Sequence, residues 1–385
     1  MQTPVSYQNF SDLWTRHSVF GERDTWQDRL DAVTCHDVEQ ALQATPGIYR
    51  PNRLLTLIAP AAQAYLEDMA NAAHRLTVQR FGKTISLYAP LYVSNYCCNQ
   101  CLYCGFNCNN EYERCRLTVE EAVNEARIIH KEGFTDLLLV SSEDRQFITV
   151  GYLCELAQQL RGMFSSLSLE IHQLETSEYK QLFEAGVDGV TLYQETYDPE
   201  VYAQYHLKGP KSDFNRRLRA CDSFGLAGMR KLGLGVLLGL TDWRLEALAL
   251  GMHGHYLMKQ FWRSKISFSF PRLRPANKVQ AQQFDHLMSD QDLVQMLLAL
   301  RLCFADAGLV ISTRESARLR DAMVPLGVTK MSAGSKTNPG GYGQKDKTLE
   351  QFAIDDTRCP AEVAHMLKTK GIEPVWKDWD TGFHA

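Results

Sequence analysis

The cysteines are the residues of this chain best suited to chemistry. Six of the eleven lie within nineteen residues, at positions 97, 98, 101, 104, 108 and 115. In a long chain without signs of secretion, such clustering indicates a metal or redox site more than a disulfide framework. Isolated cysteines are usually small core residues, but that explanation fits six close neighbours poorly.

Three ligand sets fit the spacing. Cys97, Cys101 and Cys104 form C-x3-C-x2-C, and three thiolates on a four-iron cluster leave one iron open to a substrate or cofactor. The run from Cys98 to Cys108 has ferredoxin spacing, but asparagine replaces the usual proline after it and no second run exists. Zinc on Cys101 and Cys104 needs a remote ligand pair that the sequence does not offer. We favour the first set.

The overall composition narrows the class of protein. The chain has 385 residues, of which 45% are hydrophobic and 22% charged, and its net charge is −4. This balance predicts a folded globular protein and argues against nucleic-acid binding, which needs clustered positive charge. The sequence shows no signal peptide and no apolar run long enough to cross a membrane. We therefore expect a cytoplasmic protein with no membrane contact.

The elements that must position the cysteines alternate regularly. Thr118 and Glu121 form a capping box that begins a helix, and Gly133 lies where that helix should end. Further helices are predicted over 212–224 and 290–307. Eight strands are predicted, over Thr84–Ala89, Asp136–Val140, Leu167–Ile171, Gly189–Tyr193, Lys231–Leu238, Ile266–Phe270, Leu309–Thr313 and Val328–Ser332. About one βα unit per thirty residues predicts a (β/α)8 barrel of the TIM type, complete or slightly open.

The barrel divides the chain into three predicted segments. Residues 1–80 read as an N-terminal helical extension, 81–333 as the barrel, and 334–385 as a C-terminal extension packed on it. The cysteine run follows the first strand, and barrel enzymes do their chemistry at the carboxyl ends of their strands. The cysteines are therefore expected at an active site.

At these residues the sequence resembles the radical S-adenosylmethionine (SAM) superfamily. Its C-x3-C-x-aromatic-C motif is matched by Cys97, Cys101, Tyr103 and Cys104. Over nearly the whole chain the sequence is similar to one family, the 2-iminoacetate synthases, which are tyrosine lyases of thiamine-thiazole biosynthesis. The segments that carry this likeness are 90–95 (PLYVSN), 193–197 (YQETY), 206–209 (HLKG), 270–275 (FPRLRP), 312–315 (STRE), 339–342 (PGGY) and 376–379 (WKDW).

The resemblance implies cofactors, a reaction and partners. A [4Fe-4S] cluster on the three cysteines binds SAM, whose reductive cleavage gives a 5′-deoxyadenosyl radical. This radical takes a hydrogen from the amino group of L-tyrosine, and the Cα–Cβ bond breaks to give 2-iminoacetate and p-cresol. No catalytic residue beyond the cluster and SAM is expected. The implied partners are reduced flavodoxin or ferredoxin as electron donor and a thiazole synthase.

Charged and aromatic residues near the strand ends are the candidates for binding SAM. We expect Glu143 to bind the SAM ammonium, although two serines precede it where the superfamily often has Gly-Gly. Glu195 is favoured over its neighbour Gln194 to face the barrel mouth, because successive strand residues alternate. Tyr103 and Arg272 complete the candidates. The alternative for Glu143 is a charge at a helix start, and for Glu195 a solvated strand end. For Arg274 and Arg314, which also follow strands, the alternative is a surface ion pair.

The substrate carboxylate needs an arginine of its own. Ser312 and Arg314 share one face if the seventh strand continues through them, so we expect them to bind the tyrosine carboxylate, with Tyr193 nearby.

Two other functions stay open. One is the tyrosine lyase of hydrogenase-cofactor assembly, which carries further C-terminal cysteines, whereas only Cys303 and Cys359 lie beyond Cys221 here. The other is a non-catalytic iron–sulfur electron carrier.

Overall fold

Eight parallel strands form the centre of the molecule in the computed structural model, which describes residues 9–279, 283–343 and 349–377. The strands, numbered with three minor ones in chain order, are β1 (Thr84–Ser94), β2 (Gln100–Cys101), β3 (Asp136–Ser141), β4 (Ser166–Glu170), β5 (Gly189–Glu195), β6 (His206–Lys208), β7 (Lys231–Val236), β8 (Lys265–Ser269), β9 (Gly308–Ile311), β10 (Lys330–Ser332) and β11 (Glu373–Val375). The order β1-β3-β4-β5-β7-β8-β9-β10 closes on itself, because β10 also pairs with β1. The predicted barrel is therefore confirmed in its complete form.

Two minor strand pairings lie outside the eight-stranded barrel. Strands β2 and β6 form an antiparallel ribbon beside the cysteines. Strand β11 pairs in parallel with the first residues of β1, where Thr84 lies opposite Glu373. The final tryptophan of the predicted WKDW segment, Trp379, lies outside the described residues.

Helices surround the barrel and precede it. Five lie before β1: α1 (Phe10–His17), α2 (Arg23–Asp31), α3 (Cys35–Gln43), α4 (Pro51–Ile58) and α5 (Leu66–Phe81). The others are α6 (Val119–Lys131), α7 (Val150–Leu160), α8 (Thr176–Ala185), α9 (Pro199–Tyr205), α10 (Phe214–Leu218), α11 (Ala220–Leu226), α12 (Trp243–Gln260), α13 (Asp290–Cys303), α14 (Ala317–Met323) and α15 (Pro360–Thr369). No helix among the described residues is long and apolar enough to cross a membrane.

The first βα unit shows why the local sequence folds this way. Thr118 accepts a hydrogen bond from the Glu121 amide at the start of α6, and the Glu121 side chain returns to the Thr118 amide. The chain leaves the helix at Gly133, whose φ of 101° suits a residue without a Cβ. Leu137 and Leu139 of β3 are fully buried, as expected for a parallel strand covered on both faces.

Two of the helix predictions were wrong, one in the middle of the segment and one at its end. The segment 212–224 is not one helix, because the chain breaks near Arg219 into the short α10 and α11. Helix α13 ends at Cys303 and does not reach 307. The amide of Phe304 still bonds to the Leu300 carbonyl, and the chain then turns into β9, which begins at Gly308. Apolar spacing alone does not reveal where such a turn begins.

Candidate active site

The cysteine motif lies at the carboxyl end of the barrel. Cys97, Cys101 and Cys104 all line one cavity, whereas Cys98 and Cys108 do not. The loop bends back on itself through backbone hydrogen bonds, with Cys104 N donating to Cys101 O at 3.3 Å. The backbone thus turns the C-x3-C-x2-C set toward the barrel mouth and leaves the ferredoxin-spaced set divided.

Side chains outside the motif hold this loop in place. Arg114 donates to the carbonyl of Asn95 at 3.0 Å and to that of Asn107 at 3.1 Å, so it joins the two ends of the loop. The Asn107 amide in turn donates to the Cys101 carbonyl at 3.0 Å. These bonds fix the cysteine positions before any ligand binds, which favours a preorganised site.

The donor set fits an iron–sulfur cluster. Burial raises the pKa of the Cys97 thiol to about 12 and also raises those of Cys101 and Cys104. Such thiols stay protonated unless a positive charge compensates, and the irons of a cluster supply it. Within the described ranges, no three His, Cys, Asp or Glu side chains converge as they would around a single metal ion. Cluster ligands instead bind separate irons.

Glu143 lies just beyond β3 and lines the cavity beside the cysteines. Its carboxylate accepts hydrogen bonds from Arg145 Nε at 2.7 Å and from Asn99 Nδ2 at 3.2 Å. Burial raises the pKa of Glu143, but the hydrogen bond and charge of Arg145 outweigh burial and hold it below the usual value. The carboxylate is thus ionised and keeps acceptor capacity for a cationic ligand.

Glu195 also faces the cavity, as the alternation of β5 predicted, but its backbone is unusual. Its φ is 71°, and the pairing of β5 with β7 shifts register between Tyr193 and Glu195. Lys211 Nζ donates to the carboxylate at 2.6 Å. Burial raises the pKa of Glu195, but the charges of Lys211 and Arg217 prevail and hold it below its ordinary value.

Tyr103 and Tyr193 form aromatic walls of the cavity. The Tyr103 hydroxyl lies 2.8 Å from His206 Nε2, a residue to which the sequence assigned no role. The Tyr193 hydroxyl donates to Ser269 Oγ at 3.1 Å. A Cβ on Gly235 would lie 2.3 Å from Cδ1 of the Tyr193 ring, so the absent side chain makes room for that ring.

The structure places the arginines that follow the strands differently from the sequence prediction. Arg314 lines the cavity, and its guanidinium lies 3.4 Å from the Phe352 ring centroid. Arg272 does not line it: its guanidinium binds Glu315 and Asp290, the latter at 2.8 Å. The place beside Arg314 belongs to Arg274, whose Nε donates to the Arg314 carbonyl at 2.5 Å. The SAM role predicted for Arg272 therefore has no support in the geometry.

Ser312 is likewise not brought to this cavity. Strand β9 ends at Ile311, so the alternation that placed Ser312 and Arg314 on one face does not continue through them. The Ser312 hydroxyl accepts a hydrogen bond from the Arg314 amide at 3.4 Å and lines a separate small cavity with Glu315. Ser312 therefore supports the turn that carries Arg314.

Glu170, His172, Lys211 and Arg217 are among the polar residues of the cavity that the sequence reasoning missed. A signal existed for Glu170 and His172, because they alternate with Leu169 and Ile171 at the end of β4. Lys211 and Arg217 lie in the long connection after β5, where no strand periodicity indicates direction.

Comparisons with known proteins agree with this geometry. Residues 91–250 match the radical SAM superfamily model, and residues 269–373 match the biotin and thiamin synthesis associated domain. The chain is 42% identical over 378 residues to the 2-iminoacetate synthase of Escherichia coli K12, and 43% over 375 residues to that of Salmonella typhimurium LT2. Each match covers 97% of both chains.

Solved structures confirm the fold. The crystal structure of HydG, a maturase of the [FeFe]-hydrogenase, is 30% identical and superposes with a TM-score of 0.86. That match covers 93% of this chain and 81% of the HydG chain. The likeness to HydG thus extends over nearly the whole chain and includes the predicted barrel.

Proposed function

The chain belongs to the 2-iminoacetate synthase family of radical SAM enzymes, and on this basis we propose that it cleaves the Cα–Cβ bond of L-tyrosine to 2-iminoacetate and p-cresol. One observation carries the proposal: the three motif cysteines share a cavity with Glu143, Glu195 and Arg314. These side chains offer the charges that SAM and tyrosine, two amino-acid ligands, require. When bound, the [4Fe-4S] cluster and SAM supply a 5′-deoxyadenosyl radical that takes one hydrogen atom from the substrate. The chain's own residues bind and orient the two ligands and exclude water from the cavity.

Three residues are proposed to bind SAM. Glu143 accepts the SAM ammonium, because its ionised carboxylate lies beside the cysteines and its two existing donors leave lone pairs unused. Glu195, held by Lys211, accepts from polar groups of SAM on the opposite side. Tyr103 offers its ring as a wall, with its hydroxyl fixed by His206.

The substrate carboxylate is proposed to bind Arg314. No residue in the described part of the chain accepts a hydrogen bond from its guanidinium, which stacks on Phe352 and faces the cavity. A planar guanidinium held on an aromatic ring suits bidentate binding of a carboxylate. Tyr193, braced by Ser269, lies where it can contact the substrate ring.

The segment around Gln351 covers the cavity near the cysteines. Gly105 N donates to the Gln351 carbonyl at 3.3 Å, and the Tyr92 hydroxyl donates to Gln351 Oε1 at 2.8 Å. Gln351 Nε2 lies 3.8 Å from Cys104 Sγ. We propose that this part of the C-terminal extension excludes water and other hydrogen donors, which would quench a radical.

Partners and location follow from the chemistry. The reaction needs one electron for each SAM cleaved, which we propose comes from reduced flavodoxin or ferredoxin. A thiazole synthase would consume 2-iminoacetate, an imine that water hydrolyses. A cytoplasmic location fits free cysteines that must stay reduced.

The proposal is tested by anaerobic incubation of the reconstituted protein with SAM, dithionite and L-tyrosine. We expect 5′-deoxyadenosine and p-cresol from the wild type and from Cys98→Ala, and neither from Cys97→Ala. The Cys98→Ala variant is the matched control, since it removes a neighbouring thiol that does not line the cavity. Absence of both products from the wild type would refute the function. Loss of the cluster in Cys98→Ala alone would refute the ligand set.

A further inference from the structure

Glu170 is a cavity carboxylate that no role described so far uses. It ends β4 and lines two cavities at once: the one that holds the cysteines and a second one inside the barrel. Tyr193 is the other residue that lines both. Glu170 therefore lies at the floor of the active site, farther into the barrel than the residues proposed to bind SAM.

The Glu170 carboxylate differs from the other two acids of the cavity. Glu143 and Glu195 each accept a hydrogen bond from a cationic side chain, Arg145 and Lys211 respectively. No residue that the structure describes donates a hydrogen bond to the carboxylate of Glu170. Glu170 is half-buried and lines the cavity, so the unused acceptor capacity of its carboxylate is open to a donor from a ligand.

Arg314 has the complementary property in the same cavity. Its guanidinium has no hydrogen-bond acceptor among the described residues. Burial raises the pKa of Glu170, and the positive charge of Arg314 opposes that rise. One anion and one cation that face the same space without bonding each other match the two charges of an amino-acid zwitterion. The α-carboxylate fits Arg314, and the α-ammonium fits Glu170.

Building on the proposed function, we propose that Glu170 binds the ammonium group of the tyrosine substrate and takes one proton from it before hydrogen abstraction. In this step an N–H bond breaks heterolytically, the electron pair stays on nitrogen, and the carboxylate becomes a carboxylic acid. Nothing is oxidised or reduced. The resulting neutral amine has a lone pair that stabilises the nitrogen radical left when a hydrogen atom is removed, whereas an ammonium has none.

The basicity of Glu170 suits a proton acceptor near neutral pH. Burial raises its pKa to about 7, and Arg314 opposes that rise. The groups that act on it are Tyr88 and Tyr92 of β1, Tyr193 and Glu195 of β5, Lys211 and Arg217 beyond β5, and Arg314 beyond β9. Lys231, Lys265 and Lys330 line the inner cavity that Glu170 also lines. Because the acceptor must be ionised, kcat/KM should rise with pH through this pKa.

Binding measurements separate this role from a structural one. The reconstituted protein with SAM but no reductant is equilibrated with L-tyrosine, with 3-(4-hydroxyphenyl)propanoate, which lacks the ammonium, and with L-phenylalanine, which lacks the hydroxyl. We expect the wild type to bind tyrosine about 10- to 100-fold more tightly than the propanoate. In Glu170→Gln this preference should fall to about threefold or less, while the preference for tyrosine over phenylalanine stays unchanged.

Two results would overturn the proposal. One is a Glu170→Gln variant that still discriminates against the propanoate as the wild type does. The other is a collapse of the tyrosine-over-phenylalanine preference alone, which would place Glu170 on the phenol. Glu184→Gln, an exposed carboxylate on α8, is the control and should leave both preferences intact.

Further measurements distinguish loss of the Glu170 role from misfolding of the variant and from failure of the proposed function. Unchanged circular dichroism and an unchanged SAM-dependent cluster spectrum show that Glu170→Gln is folded. In that variant the acidic limb of the kcat/KM profile should disappear; a limb that persists contradicts the assignment. If the wild type forms no p-cresol, the proposed function fails; if it does and Glu170→Gln behaves as wild type, only the inference fails.

Discussion

Replacing Gly235 with alanine is the sharpest test of how the barrel wall shapes the site. Gly235 lies in β7 and pairs with Ser269 of β8. An alanine Cβ there would lie 2.2 Å from the Ser269 carbonyl oxygen, and 2.3 Å from Cδ1 and 2.6 Å from Cε1 of Tyr193. The Tyr193 ring could swing away, but the Ser269 oxygen belongs to the backbone of β8 and can move only if that strand shifts with it.

The size of the effect follows from these distances. Comfortable contact between non-bonded atoms begins at about 3.5 Å, so the backbone or the ring must move by about 1 Å. Overpacking of this kind costs about 1–3 kcal/mol of unfolding free energy. A displacement of about 1 Å in a side chain that lines the active site can lower kcat/KM about 100-fold.

The assay combines stability and turnover. Denaturant unfolding of Gly235→Ala and p-cresol formation by the reconstituted variant are compared with wild type and with Gly162→Ala, whose Cβ would meet nothing within 4 Å. Both quantities should fall in Gly235→Ala and stay near wild type in Gly162→Ala. Wild-type kcat/KM in Gly235→Ala would show that the position of Tyr193 does not matter to the reaction, and would refute the reasoning.

The other predictions concern binding, a buried ion pair and pH. Arg314→Lys should weaken L-tyrosine binding about 10- to 100-fold, because the bidentate pair is lost, while tyramine, which has no carboxylate, binds as before; equal losses for both would contradict the carboxylate role. Arg320→Met removes one of the two arginine partners of fully buried Asp356 and leaves Arg358 at 2.7 Å, so it should lower the unfolding free energy by about 1–3 kcal/mol in denaturant titrations; a loss below about 0.5 kcal/mol would contradict this. Burial raises the pKa of Glu246 from 4.5 to about 8, so the folded state binds the extra proton and stability should fall as pH rises between these values. Glu246→Gln should flatten that slope in thermal melts from pH 5 to pH 8, and an unchanged slope would contradict the assignment.

The barrel could be predicted because its strands have a simple signal. Leu137 to Val140 form a continuous apolar run, which is typical of a strand covered on both faces, and capping boxes such as Thr118 with Glu121 mark the helix starts. The cysteine motif could be predicted as well, because its spacing is local. Both depend on residues that are close in sequence, where geometry is set by the backbone alone.

The positions of the charged residues around the cysteines depend on how the chain turns after each strand. Arg272 and Arg274 are two residues apart, yet Glu315 binds the first outside the cavity while the second reaches inside. Lys211 comes from a connection with no periodicity, and its partner Glu195 bends the strand at a positive φ. These contacts join segments that are distant in sequence, so spacing along the chain does not predict them.

The most direct measurement of the proposed reaction is turnover of L-tyrosine in D2O with quantification of both products by mass spectrometry. Because amino hydrogens exchange with solvent, hydrogen abstraction from the amino group predicts 5′-deoxyadenosine that carries one deuterium in its methyl group, together with an equal amount of p-cresol. Unlabelled 5′-deoxyadenosine would contradict abstraction from nitrogen. Labelled or unlabelled 5′-deoxyadenosine without any p-cresol would contradict cleavage of the Cα–Cβ bond.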